Sequence, residues 1–249
     1  MVDAKARFSA TVENYRRYRP DYPDALIRWC LGRVPRAPLA VVDLGAGTGI
    51  ASRQLARAGA RVTGVEPNDA MREAAIADSP PEIRYVAGEA AATGLPAGSA
   101  DLVVAAQAFH WFELDPTLRE IARVLVPDGV CVAFWNVRLG SPLLEAFDAL
   151  LLAFSSEYRR DSTALPVLDR LAAHPWVADA EDAAFAHAQV LDRAGLHGRA
   201  WSGSYAAHGV ADAAGFDAAL DELFDRYAEG GVVRFTYRTI ARAFRVRPA

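Results

Sequence analysis

Three alternating glycines follow a short strand-like run, a pattern that lets backbone approach a ligand closely. Gly45, Gly47 and Gly49 stand directly after Val41–Leu44. Glycine has no side chain that would hold a bound molecule away from the backbone. Residues 50–58 contain no proline or glycine and place apolar residues at helical spacing, which predicts a helix whose first N–H groups point toward the loop. The sequence therefore predicts a ligand-binding loop between a strand and a helix.

An acidic residue follows this loop at a distance typical of a ribose-binding site. Arg61–Val65 is a short run with β-type composition, and Glu66 stands where that strand should end. In nucleotide-binding α/β folds, an acid about 20 residues beyond the first glycine hydrogen-bonds to the ribose hydroxyls. A nucleoside is therefore the predicted ligand.

The glycine spacing distinguishes between two kinds of nucleoside ligand. A dinucleotide fingerprint reads G-x-G-x-x-G, and its third glycine would fall at position 50, where this chain has Ile50. Asp43 lies at the end of the preceding strand, where a carboxylate would repel a phosphate and attract an ammonium group. Both features disfavour a nicotinamide-dependent oxidoreductase, which stays as the weaker alternative.

The order of these motifs resembles class I S-adenosylmethionine-dependent methyltransferases. The D-x-G-x-G-x-G loop from Asp43, the segment Gly88–Ala90 and the turn Leu125–Gly129 occur in the family's order within 43–136. The segment Tyr15–Pro23, which reads Y-x-x-x-R-P-x-Y-P, resembles the N-terminus of one small-molecule branch. The resemblance implies S-adenosyl-L-methionine as the cofactor.

The same resemblance implies which residues hold the cofactor. An acid at the position of Glu89 accepts a hydrogen bond from the adenine amine, and the next N–H faces a ring nitrogen. An aromatic residue and an arginine from the N-terminal segment approach the methionyl carboxylate. The implied cofactor-binding residues are Tyr15, Arg19, Asp43, Gly45, Ala46, Gly47, Thr48, Gly49, Glu66, Pro67, Asn68, Met71, Glu89, Ala90 and Gln107.

A cluster of aromatic residues follows the fourth predicted strand and defines the candidate acceptor side. His110 is a candidate general base, because histidine titrates near neutral pH and accepts protons from nucleophiles. His110, Trp111 and Trp135 are the predicted substrate-pocket residues. The alternative is that the imidazole only shapes the pocket and that the tryptophans belong to the ordinary core.

The element pattern predicts an α/β fold with a doubly wound, mostly parallel seven-stranded sheet of Rossmann-like methyltransferase type. We expect one domain over 1–249, with alternating strands and helices in a cofactor-binding core at 39–136. Apolar residues at helical spacing indicate a helical cap insertion at 141–178. The acids Asp179, Glu181 and Asp182 indicate a loop after it, and 186–249 is predicted to form the sheet edge and a helix.

Composition narrows the class of partner. The 249-residue chain carries a net charge of −4, which gives no general attraction to nucleic acid or anionic lipid. Its two cysteines lack C-x-x-C spacing, so neither a disulfide framework nor a metal site is expected. We expect no membrane segment, no secretory leader and a cytoplasmic location.

The sequence therefore predicts in-line methyl transfer from S-adenosylmethionine to an oxygen, nitrogen or carbon of a small, partly apolar molecule. One alternative is a cofactor-binding protein of the same fold that transfers no methyl group and acts in regulation or rearrangement. The identity of the acceptor and the oligomeric state stay open.

Overall fold

The structure is a computed structural model that describes residues 12–37, 39–159 and 164–247. Its first elements are α1 (Val12–Tyr18), α2 (Asp24–Leu31), β1 (Ala40–Leu44), α3 (Ile50–Arg57), β2 (Arg61–Val65), α4 (Asp69–Asp78), β3 (Arg84–Val86) and β4 (Ala100–Ala106). After a 3₁₀ turn (Phe109–Trp111) come α5 (Leu114–Val124), β5 (Leu125–Arg138), α6 (Pro142–Phe154), α7 (Ala164–Ala173), β6 (Val177–Leu191), α8 (Arg193–Trp201), α9 (Ser204–Gly209), α10 (Ala213–Tyr227) and β7 (Val233–Val246).

The strands form one seven-stranded sheet in the order β3-β2-β1-β4-β5-β7-β6. Strand β1 pairs in parallel with β2 and β4, β2 pairs in parallel with β3, and β4 with β5. This arrangement confirms the predicted doubly wound, mostly parallel Rossmann-like sheet. Parallel pairing brings the carboxyl ends of β1, β2 and β4 to one edge, which is where such sheets bind ligands.

Strand β7 runs opposite to its neighbours. The Leu139 N–H, just beyond the end of β5, donates to the carbonyl of Thr236 near the start of β7, at 3.0 Å. The Arg247 N–H, just beyond the end of β7, donates to the carbonyl of Trp176 before β6, at 2.8 Å. Where the end of one strand is hydrogen-bonded to the start of its neighbour in this way, the two strands are antiparallel.

The described chain divides into two compact units, each made of several segments. Within the described residues, unit 1 comprises 12–20, 137–159 and 186–238, and unit 2 comprises 21–37, 39–136, 164–185 and 239–247. Each has its own apolar core: Phe147, Phe216 and Phe235 are fully buried in unit 1, and Leu55 and Leu102 in unit 2. Of the segment predicted to form a cap, 141–178, α6 lies in unit 1 and α7 in unit 2, and the cap stays a prediction.

Strand β6 corrects one expectation from the sequence. The acids predicted to form a loop, Asp179, Glu181 and Asp182, all lie within the strand Val177–Leu191. Their side chains are paired with arginines from elsewhere in unit 2: Glu181 with Arg33 at 2.5 Å and Asp182 with Arg242 at 2.6 Å. These partners are distant in sequence, so the acidic run did not indicate the strand.

No helix in the described ranges is both long enough and apolar enough to cross a membrane.

Candidate active site

The glycine loop lies between β1 and α3, and all of its glycines have left-handed backbone conformations. The φ angles are 67° at Gly45, 56° at Gly47 and 79° at Gly49. A Cβ atom on Gly45 would lie 2.8 Å from the Ala108 Cβ, and one on Gly49 would lie 2.3 Å from the Tyr85 hydroxyl. A Cβ on Gly47 would meet nothing within 4 Å. Gly45 and Gly49 therefore allow close internal packing, whereas Gly47 borders open space where a ligand can approach.

Hydrogen bonds attach this loop to the end of β2. The N–H groups of Gly45 and Ala46 both donate to the Val65 carbonyl, at 2.9 and 3.1 Å. The Gly47 N–H donates to Glu66 Oε2 at 2.8 Å. These N–H groups are thus used within the protein, and the loop's contribution to a ligand is its open surface at Gly47.

Glu66 is held in place by backbone on both of its carboxylate oxygens. It is 7% exposed, and Oε1 accepts from the Asn68 N–H at 2.9 Å while Oε2 accepts from Gly47. Burial raises the pKa of Glu66, and the two N–H contacts oppose that shift. Because a carboxylate oxygen has two lone pairs, each oxygen keeps a free acceptor position. The loop and the predicted ribose-binding acid therefore meet, and the acid is oriented before any ligand binds.

Asp43, at the end of β1, is a fully buried carboxylate that lacks one partner. Its Oδ2 accepts from the Ser52 hydroxyl at 2.6 Å, whereas Oδ1 has no hydrogen-bond partner among the described residues. Burial raises the pKa of Asp43 to about 7; the Ser52 hydrogen bond opposes the shift and the charge of Glu66 adds to it. A buried oxygen without a partner is costly, so this position favours an incoming donor or cation.

The residues after Glu66 have structural contacts of their own. Asn68 caps α4, its Oδ1 accepting from the Met71 N–H at 2.9 Å, and Met71 is buried. Arg72 donates to the Glu66 carbonyl at 2.9 Å. These contacts fix the chain that follows the acid, including Pro67. Direct contact of Pro67, Asn68 and Met71 with a cofactor stays a prediction.

The predicted adenine segment is a tight loop after β3. Glu89 is exposed, and its N–H and carbonyl pair with those of Ala92 at 3.2 and 3.0 Å. Next to it, Glu120 accepts from both the N–H and the hydroxyl of Thr93, at 2.9 and 2.5 Å. A salt bridge with Arg123 and the Thr93 contacts lower the pKa of Glu120 to about 2. The sequence analysis missed this anchor, which fixes the loop that carries Glu89 and Ala90.

Position 107 follows β4 with an unusual backbone. Gln107 has φ 56°, which is uncommon outside glycine, and its N–H donates to the Phe134 carbonyl at 2.9 Å. Residues in sparsely populated conformations cluster at functional sites. Its position at the carboxyl end of β4 agrees with the predicted site edge.

His110 and the two predicted pocket tryptophans lie in different environments. Trp135 is buried and its Nε1 lies 3.4 Å from His110 Nδ1, so that ring nitrogen accepts the hydrogen bond. Trp111 is 52% exposed, and its ring centroid is 4.9 Å from that of His110. Burial lowers the pKa of His110 to about 4. The imidazole is therefore neutral at physiological pH and is a weak base.

The end of the N-terminal segment is attached to the helix that follows the glycine loop. Gln54 on α3 accepts from the Tyr22 N–H at 3.0 Å and donates to the Tyr22 carbonyl at 2.6 Å. Asn136, at the end of β5, donates to the Asp21 carbonyl at 2.9 Å and accepts from Thr239 at 2.6 Å. Sequence reasoning missed Gln54 and Asn136, because nothing in their local sequence indicates these distant partners.

Tyr15 and Arg19 belong to unit 1, and we describe them within that unit. The Arg19 guanidinium lies 4.7 Å from the centre of the Tyr15 ring, and its Nη2 donates to the Ser202 carbonyl at 3.1 Å. Tyr15 and Arg19 therefore contact each other within this unit. Their contact with the cofactor's carboxylate stays a prediction.

Comparisons with known proteins agree with the fold. Residues 42–133 match a family model described as a methyltransferase domain. An uncharacterized methyltransferase of Mycobacterium tuberculosis is 38% identical over 136 residues, which are 55% of this chain and 54% of the relative. The chain thus aligns with about half the length of this curated relative.

Solved structures extend the similarity over most of the chain. A putative type II methyltransferase from Anaeromyxobacter dehalogenans is 27% identical, with a TM-score of 0.69 over 93% of this chain and all of that chain. The [4+2]-cyclase SpnF shares the fold at 20% identity, with a TM-score of 0.54 over 97% of this chain and 94% of that chain. Residues 42–133 are therefore similar to methyltransferase domains, and the described chain shares its Rossmann-like fold with solved methyltransferase structures.

Proposed function

We propose that the protein transfers a methyl group from S-adenosylmethionine to an oxygen, nitrogen or carbon of a small molecule. The observation that carries the proposal is the hydrogen bond between the Gly47 N–H and Glu66 Oε2, 2.8 Å long. It joins the loop bordering open space to a preoriented acid at the ligand-binding edge of the sheet. The family match of 42–133 supports the same reaction class.

The residues of unit 2 suit the separate parts of this cofactor. Glu66 has a free acceptor position on each oxygen for the ribose hydroxyls, and the unpartnered Asp43 Oδ1 suits the ammonium group. Glu89 and Ala90 would meet the adenine. When bound, the cofactor supplies a methyl group activated by its sulfonium. The protein then has to align the acceptor with that methyl group and exclude water.

We propose that His110 positions the acceptor rather than deprotonating it. With Nδ1 accepting from Trp135, the ring proton is on Nε2, which can donate a hydrogen bond. A base with a pKa of about 4 takes little proton from an oxygen or nitrogen nucleophile at neutral pH. The acceptor is accordingly a group that attacks without help from His110.

The first experiment measures cofactor binding by titration calorimetry with S-adenosylmethionine, S-adenosylhomocysteine and NAD in parallel. We expect the first two to bind and NAD not to bind. Glu66→Ala should weaken S-adenosylhomocysteine by about 10-fold to 100-fold, the equivalent of roughly 1.5 to 3 kcal/mol for hydrogen bonds to a charged group. Glu73→Ala, on the exposed face of α4, is the matched control and should bind normally.

Equal affinity of Glu66→Ala and the wild type would remove Glu66 from the ribose site. Preference for NAD would replace the proposal with an oxidoreductase. Turnover is tested separately, by following S-adenosylhomocysteine production against a panel of small acceptors.

The second candidate is a protein that binds the cofactor without methyl transfer. Its support is the likeness to SpnF, a cyclase that shares the fold, which shows that the fold alone does not define the reaction. Tight binding of S-adenosylmethionine with no S-adenosylhomocysteine formed in the presence of any acceptor would favour this candidate.

A further inference from the structure

Unit 1 contains a group of three arginines, one buried and two partly buried, that the proposed cofactor contacts in unit 2 do not explain. We call Arg19, Arg138 and Arg199 the arginine cluster; they come from three separate segments of the chain. Arg199 is only 5% exposed. Each member has one buried guanidinium nitrogen with no hydrogen-bond partner among the described residues: Arg19 Nε, Arg138 Nη1 and Arg199 Nε.

Close helix packing positions two members of the cluster. Gly198 on α8 lies against Tyr18 on α1, since a Cβ there would be 2.1 Å from the Tyr18 ring. The absence of a side chain at Gly198 lets α1 approach α8. Both guanidinium groups then reach Ser202: Arg19 donates to its carbonyl at 3.1 Å, and Arg199 Nη1 lies 3.4 Å from its hydroxyl.

The third member is paired with an acid. Arg138 Nη2 lies 2.7 Å from Asp148 Oδ1 and donates to the Tyr158 hydroxyl at 2.6 Å. Asp148 is the one carboxylate that contacts a cluster arginine among the described residues. One of the three positive charges is therefore compensated, and two are not.

The remaining contacts of the cluster are with phenol groups. Burial and the charge of Arg199 lower the pKa of Arg19. Burial acts to raise the pKa of Tyr205, but Arg199, Arg19 and Arg138 outweigh it and lower that pKa. Burial also acts to lower the pKa of Arg199, and Tyr237 and Tyr205 together raise it. The three guanidinium groups thus act together on the Tyr205 hydroxyl.

Neutral phenols do not offset the positive charges of the buried Arg199 and the partly buried Arg19. Buried charges in proteins are normally paired, because removing an ion from water without a partner is expensive. Guanidinium groups bind carboxylate and phosphate oxygens with paired, directional hydrogen bonds. The spare nitrogens and the excess charge both require the same kind of partner.

We propose that the arginine cluster of unit 1 is a binding site for the oxyanion, a carboxylate or a phosphate, of a ligand other than the cofactor. Binding of this anion does not depend on the proposed function. The carboxylate of the cofactor has the same chemistry, and the family resemblance already assigns Arg19 to it, so it is the competing occupant that the test has to separate.

The test uses the full chain, with inorganic phosphate and acetate as the anion probes. Their affinities are measured by thermal shift at constant ionic strength, with sodium chloride as the balancing salt. Arg199→Gln should lose at least about 10-fold in affinity for the anion that binds, since a hydrogen bond to a charged group is worth roughly 1.5 kcal/mol or more. Arg193→Gln is the control: that arginine is exposed and pairs with Asp221 and Asp225, so its loss should leave anion binding unchanged.

A second pair of ligands distinguishes the sources of the anion. S-Adenosylhomocysteine has the amino-acid carboxylate, and 5′-methylthioadenosine has the same nucleoside and a thioether without it. If Arg199→Gln weakens only S-adenosylhomocysteine, the cluster binds the cofactor's carboxylate and the proposal is overturned. If neither nucleoside is affected while phosphate or acetate binding is lost, the anion belongs to a ligand other than the cofactor, as proposed.

The measurements distinguish a failure of the oxyanion site from a failure of the proposed function. A wild type that binds neither phosphate nor acetate, or an Arg199→Gln variant with wild-type affinity for both anions, would also overturn the oxyanion site. Absence of all nucleoside binding would contradict the proposed function and leave the phosphate and acetate measurements decisive for the site. Circular dichroism checks that each variant is folded. If Arg199→Gln does not fold, the same measurements are made on Arg19→Gln and Tyr205→Phe.

Discussion

The two units place buried charge in opposite ways. In unit 2, Asp43 and Glu66 are buried acids, and Glu66 is held by backbone N–H groups from the loop and from the residue after β2. In unit 1, the buried Arg199 and the partly buried Arg19 and Arg138 are held by side chains and a carbonyl. The position of the Glu66 carboxylate depends on local backbone geometry, whereas the positions of the cluster arginines depend on packing between residues distant in sequence.

The largest expected effect tests whether backbone geometry defines the acidic site. Gly49→Ala places a side chain on a left-handed residue, with its Cβ 2.3 Å from the Tyr85 hydroxyl. Left-handed strain and overpacking together should lower the free energy of unfolding by about 2 to 5 kcal/mol. Urea denaturation measures the loss. Adding Tyr85→Phe should recover part of it, since that change removes the clashing oxygen but not the backbone strain.

Two other glycines serve as matched controls. Gly47 and Gly230 also have positive φ, 56° and 59°, but a Cβ on either would meet nothing within 4 Å. Gly47→Ala and Gly230→Ala should each lose only the left-handed penalty, about 1 kcal/mol. Gly47→Ala should in addition weaken S-adenosylhomocysteine, because its Cβ enters the open space of the loop. Equal stability losses at all three positions would show that packing against Tyr85 does not matter.

This contrast also explains how much the sequence predicted. The glycine loop and Glu66 were predictable because a strand, a turn and the next strand's end are close in the chain and have characteristic residue types. The order of strands and helices in the cofactor-binding core could be predicted because their sequence patterns alternate. The anchors Ser52, Gln54 and Glu120 were not predictable, because their side chains bond to partners chosen by tertiary structure. Strand β6 was missed for the same reason: its acids are paired with Arg33 and Arg242.

The arginine cluster could not be predicted, because some of the residues that contact each other there are even farther apart in the sequence. Arg19 and Ser202 are 183 positions apart in sequence, and no local pattern connects them. Gly198 has no motif around it, and its role is visible only where the Tyr18 ring lies against it. A family resemblance indicated Arg19 as a functional residue, whereas no sequence motif indicated Arg138 or Arg199.

An intermediate effect concerns the pH dependence of the acidic site. The pKa of Asp43 is raised to about 7, above its ordinary value of 3.8, so the folded protein holds this proton more tightly than the unfolded chain. The stabilising contribution of the protonated carboxyl is complete below pH 3.8 and is lost as the pH rises to about 7. Asp43→Asn cannot ionise and should lack this decrease. The measurement is urea denaturation of both proteins from pH 4 to pH 8.

Cofactor binding should respond in the opposite direction. Ionised Asp43 attracts the ammonium group, so wild-type affinity for S-adenosylhomocysteine should increase as the pH rises toward 7. The affinity of Asp43→Asn should be lower and should not increase in this way. Parallel pH curves for the two proteins would separate Asp43 from the ammonium group and leave its unpartnered Oδ1 without a ligand.

The smallest expected effect concerns His110, whose environment differs from those of the acids and the arginines: its Nδ1 accepts a hydrogen bond from the indole N–H of Trp135. Its lowered pKa of about 4 has burial as its cause. Carbon-detected NMR of the imidazole rings, with His110→Gln used for assignment, should show no titration of His110 between pH 5.5 and pH 8. A titration near pH 6.5 would contradict the buried, neutral ring and restore the general-base hypothesis.

The same variant should lose only a few-fold in turnover, because general-base catalysis would cost about 100-fold or more and loss of a positioning contact costs less. Since glutamine can still accept from the Trp135 N–H, a large loss would mean that the imidazole itself takes part in proton transfer.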